Sequence, residues 1–527
     1  MPPIHMTTAN PSQTPDARLA EINRALRGRD IGRAAQLVSD MTRSDPANVD
    51  GWIAAARLAQ MTGDHSRMRS HLAQALSLAP GSPLIRLLDV EAQIHIGDIR
   101  DAVIALKHME AEAKADPAWL GRISEAYSQC GNFDAAERCA RAAVALDPDS
   151  AALRYALSSA FIATGKLEQA EDVLDKLIAS HPRDYDAYYN RATLRKQTLG
   201  RNHVDAIRKA LDETAQDPMS AVGLNYALAH ELEDLGRDDE SFAALKKGAD
   251  ARRAMMAYRV EKDTDTMARI AKVFDAAFFA THRNACDAQG PIFVLGLPRS
   301  GTTLVDRILS AHPDVESLGE LNDLPLALTA LCRAVPGPGD LVSKSADLDM
   351  RALGEAYLHR VRQRATGKRF FIDKAPANFL YIGLIAAALP NARIIHLNRN
   401  PIDNALGMYK ALFRMGYPFS YDFDDLAKYM RAKAELMAHW HAVLPGRVTE
   451  VHYEDIVSDQ EVQTRRLLAE VGLAWNSACL DFHKNASPTA TASAAQVRRP
   501  LYASSVDRWR RYETQLQPLI AALGATG

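Results

Sequence analysis

Cysteine is scarce in this chain of 527 residues: five occur, at Cys130, Cys139, Cys286, Cys332 and Cys479. None forms a Cys-x-x-Cys pair and none has a His at metal-ligand spacing. That pattern excludes an ordinary zinc site and suits free thiols in a reducing compartment. Neither sign of charge is in excess. Lys and Arg number 63 against 65 Asp and Glu, a net charge of -2, so there is no electrostatic case for nucleic acid or an anionic membrane as the main partner. Long apolar runs are missing as well. None approaches the about 18 residues that a membrane helix needs, and the longest, such as Ile382 to Leu389, suit buried elements. The stretch Met1 to Asp16 is polar and lacks both the basic and the apolar part of a secretory signal. A cytoplasmic protein that needs no metal is the expectation. At this length two or more domains are expected.

What is abundant is periodicity. Glycines recur at Gly28, Gly63, Gly97, Gly131, Gly165, Gly200 and Gly236, at intervals of 34 to 36 residues. Prolines keep a similar beat at Pro46, Pro80, Pro117, Pro148, Pro182 and Pro218. Each Gly sits between two segments of helical pattern, as between Ala151–Thr164 and Leu167–Ser180, where a left-handed residue ends the first helix. Each Pro stops the second helix and opens the next unit. Small residues follow at helical spacing, at Ala102, Ala135, Ala136, Ala170 and Ala206, and allow close helix packing. This period and pattern resemble the tetratricopeptide repeat (TPR) over residues 16–254, about seven helix-turn-helix units. The resemblance implies a solenoid whose groove binds a protein or peptide segment. The alternative is an array that only scaffolds or dimerises the second half. Residues 255–290 remain helical without the beat and read as a connecting segment.

The second half, residues 291–527, opens differently. Pro291 to Gly296 is a short, uncharged apolar run suited to a buried parallel strand. It enters Gly296-Leu-Pro-Arg-Ser-Gly-Thr-Thr303 and then a helical pattern from Leu304. Strand, glycine-bearing loop and helix make a phosphate cradle of backbone amides at a positive helix end. A nucleotide triphosphatase carries Lys after the second Gly of such a loop. Here Thr302 stands in that place, and Arg299 brings the positive charge from inside the loop. Further strand patterns end at Phe370-Phe-Ile-Asp-Lys374, Arg393-Ile-Ile-His-Leu-Asn398 and Val448 to Tyr453. The fold class expected is an α-solenoid of tetratricopeptide type followed by a P-loop-like α/β domain with a central parallel sheet.

The loop Pro298-Arg-Ser-Gly-Thr-Thr-Leu304 resembles the 5'-phosphosulfate loop of sulfotransferases, and the run Ala311 to Glu320 resembles the tyrosylprotein sulfotransferases and their bacterial relatives. The resemblance covers about Pro291 to Leu523. It implies 3'-phosphoadenosine-5'-phosphosulfate (PAPS) as co-substrate, held by Arg299, Ser300, Gly301, Thr302 and Thr303. It implies a catalytic base at Glu320, with Glu316 as a rival outside the Gly-Glu context. Lys374, in Lys-Ala-Pro-Ala-Asn378, is implied at the sulfate and bridging oxygen. Arg399 takes the place of the 3'-phosphate Arg, and its planar fork suits phosphate. The family usually sets a Ser where this chain has Gly407, so one contact is missing or replaced. Tyr453 resembles a nucleotide-contacting Tyr. Ser493, in Ser-Ala-Ala-Gln496, matches a catalytic Ser, and Arg508 a cofactor-binding base. Five arginines fall between Arg498 and Arg511.

The function implied is sulfuryl transfer from PAPS to an acceptor hydroxyl, a tyrosine of a protein or peptide. A glycan or small-molecule alcohol is an alternative acceptor. A non-catalytic TPR adaptor with a relic PAPS site is an alternative of another class, opposed by the joint presence of Glu320, Lys374 and Ser493. Without a secretory signal, the resemblance points to a bacterial cytosolic enzyme.

Overall fold

A computed structural model describes residues 17–113, 115–282, 284–413, 416–485, 501 and 506–524. From Ala17–Arg27 to Asp238–Ala254 the described chain is helix after helix, most of them 10 to 14 residues long. The starts follow from side-chain caps. Asp30 accepts from the Arg33 amide, Asn48 from Gly51, Asp64 from Arg67 and Ser150 from Leu153, each satisfying a donor that the helix cannot. At the turns, Gly63, Gly97, Gly131, Gly165 and Gly236 take positive φ. Two places depart from the beat. Gly28 does not; Arg29 takes the left-handed conformation one residue later. Gly200 lies in a tight turn closed by paired bonds between Thr198 and Arg201. There the helices Tyr185–Leu194 and Val204–Glu213 are joined by a longer segment, from which Arg195 and Arg201 both turn to the buried Glu171 at 2.9 and 2.8 Å. Ala102, Ala135, Ala136 and Ala170 are buried as expected, whereas Ala206 is exposed and Ile207 takes the inner place.

The chain forms two compact units, residues 1–114 with 125–132, and residues 115–124 with 133–527. The division falls inside the repeat array, not where the repeat period ends. The reason is visible in the second unit. One apolar core runs from Tyr185, Tyr226 and Phe242 of the last repeats through Phe293 and Leu295 to Trp509 and Tyr512. The Tyr226 hydroxyl donates to the Tyr409 carbonyl at 3.0 Å, and the Tyr189 hydroxyl accepts from the Leu412 amide at 3.1 Å. Beyond the array, the helix Glu261–Val273 and Phe274 lie along the helix Phe423–Val443, with His439 bonded to the Phe274 carbonyl at 2.9 Å.

The α/β part is built on five parallel strands: β1 Pro291–Gly296, β2 Val315–Ser317, β3 Phe370–Lys374, β4 Arg393–Asn398 and β5 Val448–His452, in spatial order β2-β3-β1-β4-β5. Every residue of β1 is buried, as expected for a central strand covered on both faces. Helix Thr302–Ser310 covers one face and Phe423–Val443 the other. Because the strands are parallel, their carboxyl ends share one edge. Val294 stands beside Lys374 and Gly296 beside Leu397, so the loop after β1, Lys374 and the β4 terminus open together. No helix among the described residues is long and apolar enough to cross a membrane.

A polar network is buried between β4 and the helix Phe423–Val443. His396 Nδ1 meets Glu450 Oε1 at 2.8 Å, and its Nε2 faces the Lys433 ammonium. Burial, with Lys433 adding to it, pushes His396 down to about 4 against the pull of Glu450.

Two outcomes follow for stability. An alanine Cβ at Gly223 would lie 2.7 Å from Tyr185 Cβ and 3.0 Å from its carbonyl oxygen. Gly223→Ala is therefore expected to cost about 1–3 kcal/mol through overpacking, seen as a lower melting temperature. Gly81→Ala, where an added Cβ meets nothing within 4 Å, serves as the neutral control. His396 binds its proton less readily folded than unfolded, so its stabilisation is complete above pH 6.5 and is lost as pH falls towards 4. The loss amounts to about 2–3 kcal/mol by pH 4.5. Urea unfolding of the native protein and of His396→Gln at pH 7 and 4.5 measures it; an equal acid loss in both would contradict this assignment.

Candidate functional site

The loop after β1 is shaped by three left-handed residues. Gly296 has φ 156°, Arg299 66° and Gly301 108°. Gly296 is also needed for space, since a Cβ there would lie 2.7 Å from the Leu397 carbonyl oxygen and 2.8 Å from Ser300 Oγ. At Gly301 a Cβ would lie 2.7 Å from Tyr453 Cδ2, so the Tyr453 ring forms one wall of the loop. Gly301 caps the helix Thr302–Ser310. The first-turn amides, of Thr302 and Thr303, have no helical carbonyl behind them. Ser300 Oγ is buried and has no hydrogen-bond partner among the described residues. Unspent donors at a helix N-terminus fit a phosphate-like anion.

The loop is held from behind. Arg399 Nη1 donates to the Arg299 carbonyl at 3.0 Å and its guanidinium lies 4.7 Å from the Tyr453 ring centre. Asn404 donates to the Pro298 carbonyl at 2.7 Å. Gly407, on the same helix Pro401–Tyr409, faces the Arg299 stem; a Cβ at 407 would lie 3.2 Å from Arg299 Cβ. The arginine stem therefore fills the space beside the position where the resembling family has a Ser. A cleft of about 210 Å³ opens next to Arg399, lined also by Asn398, Asn404, Met430, Lys433 and Leu523.

Next to the loop, Lys374 at the end of β3 is buried, its side chain 2% exposed, while Glu320 is 48% exposed. Lys374 Nζ meets Glu320 Oε1 at 2.5 Å. The strand pairing makes this meeting. The Leu318 amide donates to the Ile372 carbonyl at 3.0 Å and the Lys374 amide to the Gly319 carbonyl at 2.9 Å, which carries Glu320 alongside β3. Asp373 is anchored below by Tyr357 at 3.0 Å and Asn378 at 3.2 Å, and burial pushes its carboxyl up to about 7. Asn378, the last residue of the Lys-Ala-Pro-Ala-Asn run, thus fixes the turn that presents Lys374. Glu316 is engaged elsewhere. Its two oxygens accept from the Thr366 amide at 3.0 and 2.8 Å.

Arg508 lies apart from the loop amides, on Glu233 of the repeat helix Pro218–Asp234, with Nη2 to Oε1 at 3.0 Å. Lys410 bonds the same carboxylate. Asp403 fixes the approach, accepting from the amides of Asp507 at 2.7 Å and Trp509 at 2.9 Å. Ser493 lies outside the described residues. The remaining expected residues, Arg299, Ser300, Gly301, Thr302, Thr303, Glu320, Lys374, Arg399 and Tyr453, gather along the carboxyl edge of the sheet.

Sequence reading missed Asp306, Glu233 and Lys410. Asp306 lies buried on the loop helix, its carboxyl raised by burial although Lys374 opposes the rise. Nothing in the repeat pattern marks Glu233, which occupies an ordinary repeat position. Among the described residues no cluster of His, Cys, Asp and Glu could hold a metal ion.

Residues 291–477 match the sulfotransferase family model, and residues 127–193 match a tetratricopeptide repeat model. An uncharacterized protein of Aquifex aeolicus (strain VF5) is 30% identical over 370 residues, 68% of this chain and 48% of that protein. The chain thus spans about half the length of that relative. Protein-tyrosine sulfotransferase 1 of Danio rerio is 25% identical over 258 residues, 44% of this chain and 71% of its own. Among solved structures, the sulfotransferase domain from the Synechococcus PCC 7002 olefin synthase aligns with a TM-score of 0.33 and 21% identity over 43% of this chain and 88% of its own. Residues 291–477 thus carry the match to the sulfotransferase family, and the match to the tetratricopeptide repeat lies ahead of them in the chain.

Proposed function

We propose that this domain transfers a sulfuryl group from PAPS to an acceptor hydroxyl, that of a tyrosine in a protein or peptide, and that the repeats bind the substrate or a partner. The observation that carries the reading is the pair of buried Lys374 and half-exposed Glu320 beside the loop of Gly296 to Thr303. The tyrosine acceptor is supported by the curated relatives, several of which are named protein-tyrosine sulfotransferases. The repeat role is supported by what such arrays generally do.

PAPS supplies an activated sulfuryl group. The rest of the chemistry belongs to the chain. Glu320, reachable from solvent, takes the proton of the acceptor hydroxyl as its oxygen bonds sulfur. The bond from sulfur to the bridging oxygen breaks, and Lys374 neutralises the charge left on the 5'-phosphate, with Ser493 as a second donor. Loop amides, Ser300, Thr302, Thr303 and Arg299 grip the 5'-phosphate, and Arg399 reads the 3'-phosphate. Tyr453 walls the nucleotide, and Arg508 adds charge at its edge. Sulfuryl transfer, like phosphoryl transfer, has a loose transition state, so positioning and charge neutralisation dominate.

Glu320→Ala is expected to lower turnover by about 10²–10⁴ while adenosine 3',5'-bisphosphate still binds, measured with labelled PAPS and tyrosine peptides alongside calorimetry. Undiminished turnover would remove Glu320 from the mechanism. Arg399→Ala is expected to weaken adenosine 3',5'-bisphosphate about 10- to 100-fold and 5'-AMP far less. Equal losses for the two nucleotides would mean that Arg399 only supports the loop.

A further inference from the structure

Glu233 sits where a repeat protein has no structural need for a charge. Its side chain is 2% exposed, and it faces two cations from other elements: Lys410, after the helix Pro401–Tyr409, and Arg508, on the carboxyl-terminal segment. One carboxylate against two cations leaves one positive charge over. His230, one turn earlier on the same helix, feels that charge. Burial, then Lys410, with Arg508 and the loop's own Arg299 adding to it, pushes its imidazole down to about 4, against the pull of Glu233. Lys410 directly follows the helix Pro401–Tyr409, whose Gly407 lies against the Arg299 stem and whose Asn404 donates to the Pro298 carbonyl at 2.7 Å, so the trio stands at the end of the helix that backs the phosphate loop. Burial works to raise the Glu233 carboxyl, yet Lys410 and Arg508 bring it down to about 2.

Adhesion between the repeat helix and the α/β core does not require this trio. Tyr226 and Tyr189 already bond across, and Phe242 packs on Tyr409 and Tyr512 with ring centres 6.3 and 5.5 Å apart. A buried ion cluster adds little net stability over apolar residues of the same volume, and its best-attested use is to fix geometry. What this cluster fixes is the position of two cations. Arg508 is held at one end by Glu233 and at the other by the grip of Asp403 on the Asp507 and Trp509 amides.

We propose that Glu233, supplied by the helix Pro218–Asp234 of the last repeat, is a positioning residue for the donor site: it seats Lys410 and Arg508 at the end of the helix that backs the phosphate loop, so that affinity for the anionic donor depends on the seating of that repeat helix. The proposal rests on the reading of the loop and Arg508 as the PAPS site. It makes the last repeat part of the enzyme's binding machinery, and it gives anything that shifts that helix a route to the donor.

The test is calorimetry of adenosine 3',5'-bisphosphate with the full chain as wild type, Glu233→Gln, Arg508→Ala and the double variant, with a melting temperature for each. Glu233→Gln is expected to bind about 10- to 100-fold more weakly, and the double variant to lose less than the two single losses combined, since Glu233 acts in part through the Arg508 guanidinium. In turnover, KM for PAPS is expected to rise and KM for the acceptor to hold. Native affinity in Glu233→Gln, or additive losses in the double variant, would overturn the proposal and leave the PAPS reading intact. A wild type that ignores the bisphosphate would overturn both. Should Glu233→Gln fail to fold, Glu233→Asp keeps the charge but shortens its reach. A several-fold loss is expected there, and unchanged affinity would again overturn the proposal.

Discussion

A lysine ammonium can be buried only with a partner, and Lys374 has its partner in Glu320, which stands half in solvent. Much of the local structure serves that pairing. β3 carries Lys374 into the interior, and the bonds from Leu318 and Lys374 zip the segment after β2 against it. Asn378 and Tyr357 absorb the buried Asp373 carboxyl so that it does not compete for the ammonium. Glu316, four residues upstream of Glu320, is tied to Thr366 and kept away. A cation next to a loop of unspent amide donors, with a carboxylate in reach of solvent beside it, is the arrangement on which the proposed transfer to a hydroxyl oxygen rests.

The second constraint is the shared core. A repeat array is nearly one-dimensional, each unit touching its neighbours. In this chain the last repeats abandon that independence. Gly223 and Gly248 let Tyr185 and Tyr226 approach at distances no side chain would permit, and Tyr226 then reaches Tyr409 on the α/β side. Arg511 bonds the Glu233 carbonyl at 3.1 Å and Gln515 bonds Asp239 at 2.6 Å. The carboxyl-terminal residues are thereby fixed to the array as well as to the sheet.

How much of this was legible in the sequence depends on how each element is stabilised. β1 could be read to the residue, because a parallel strand buried on both faces leaves an uninterrupted apolar run, whereas β4 carries His396 inside its apolar stretch and is marked by Ile394, Ile395 and Leu397. β2 could not. It is three residues long, carries Glu316 and Ser317, and exists only through its pairing with β3. The repeat beat was legible wherever a positive φ is required at the turn, and misleading at Gly28 and Gly200, where a neighbour or a tight turn takes over. The loop, Lys374 and Arg399 announced themselves by their place after strands. Glu233 and Lys410 gave no such signal, being distant in sequence and joined only by tertiary packing.

Arg299 holds a left-handed backbone, which for a residue other than Gly costs roughly 1 kcal/mol or more. The cost has a visible return. With φ at 66°, the Arg299 carbonyl points to Arg399 and accepts a hydrogen bond from its guanidinium. The side chain of Arg299 meanwhile lies along Gly407, where an added Cβ would sit 3.2 Å from Arg299 Cβ, a contact that the stem would have to ease by a small shift. The glycine at 407 is therefore the complement of the arginine at 299, and the two guanidinium groups at this edge are linked through one strained peptide. A change at any of the three positions should propagate to the other two.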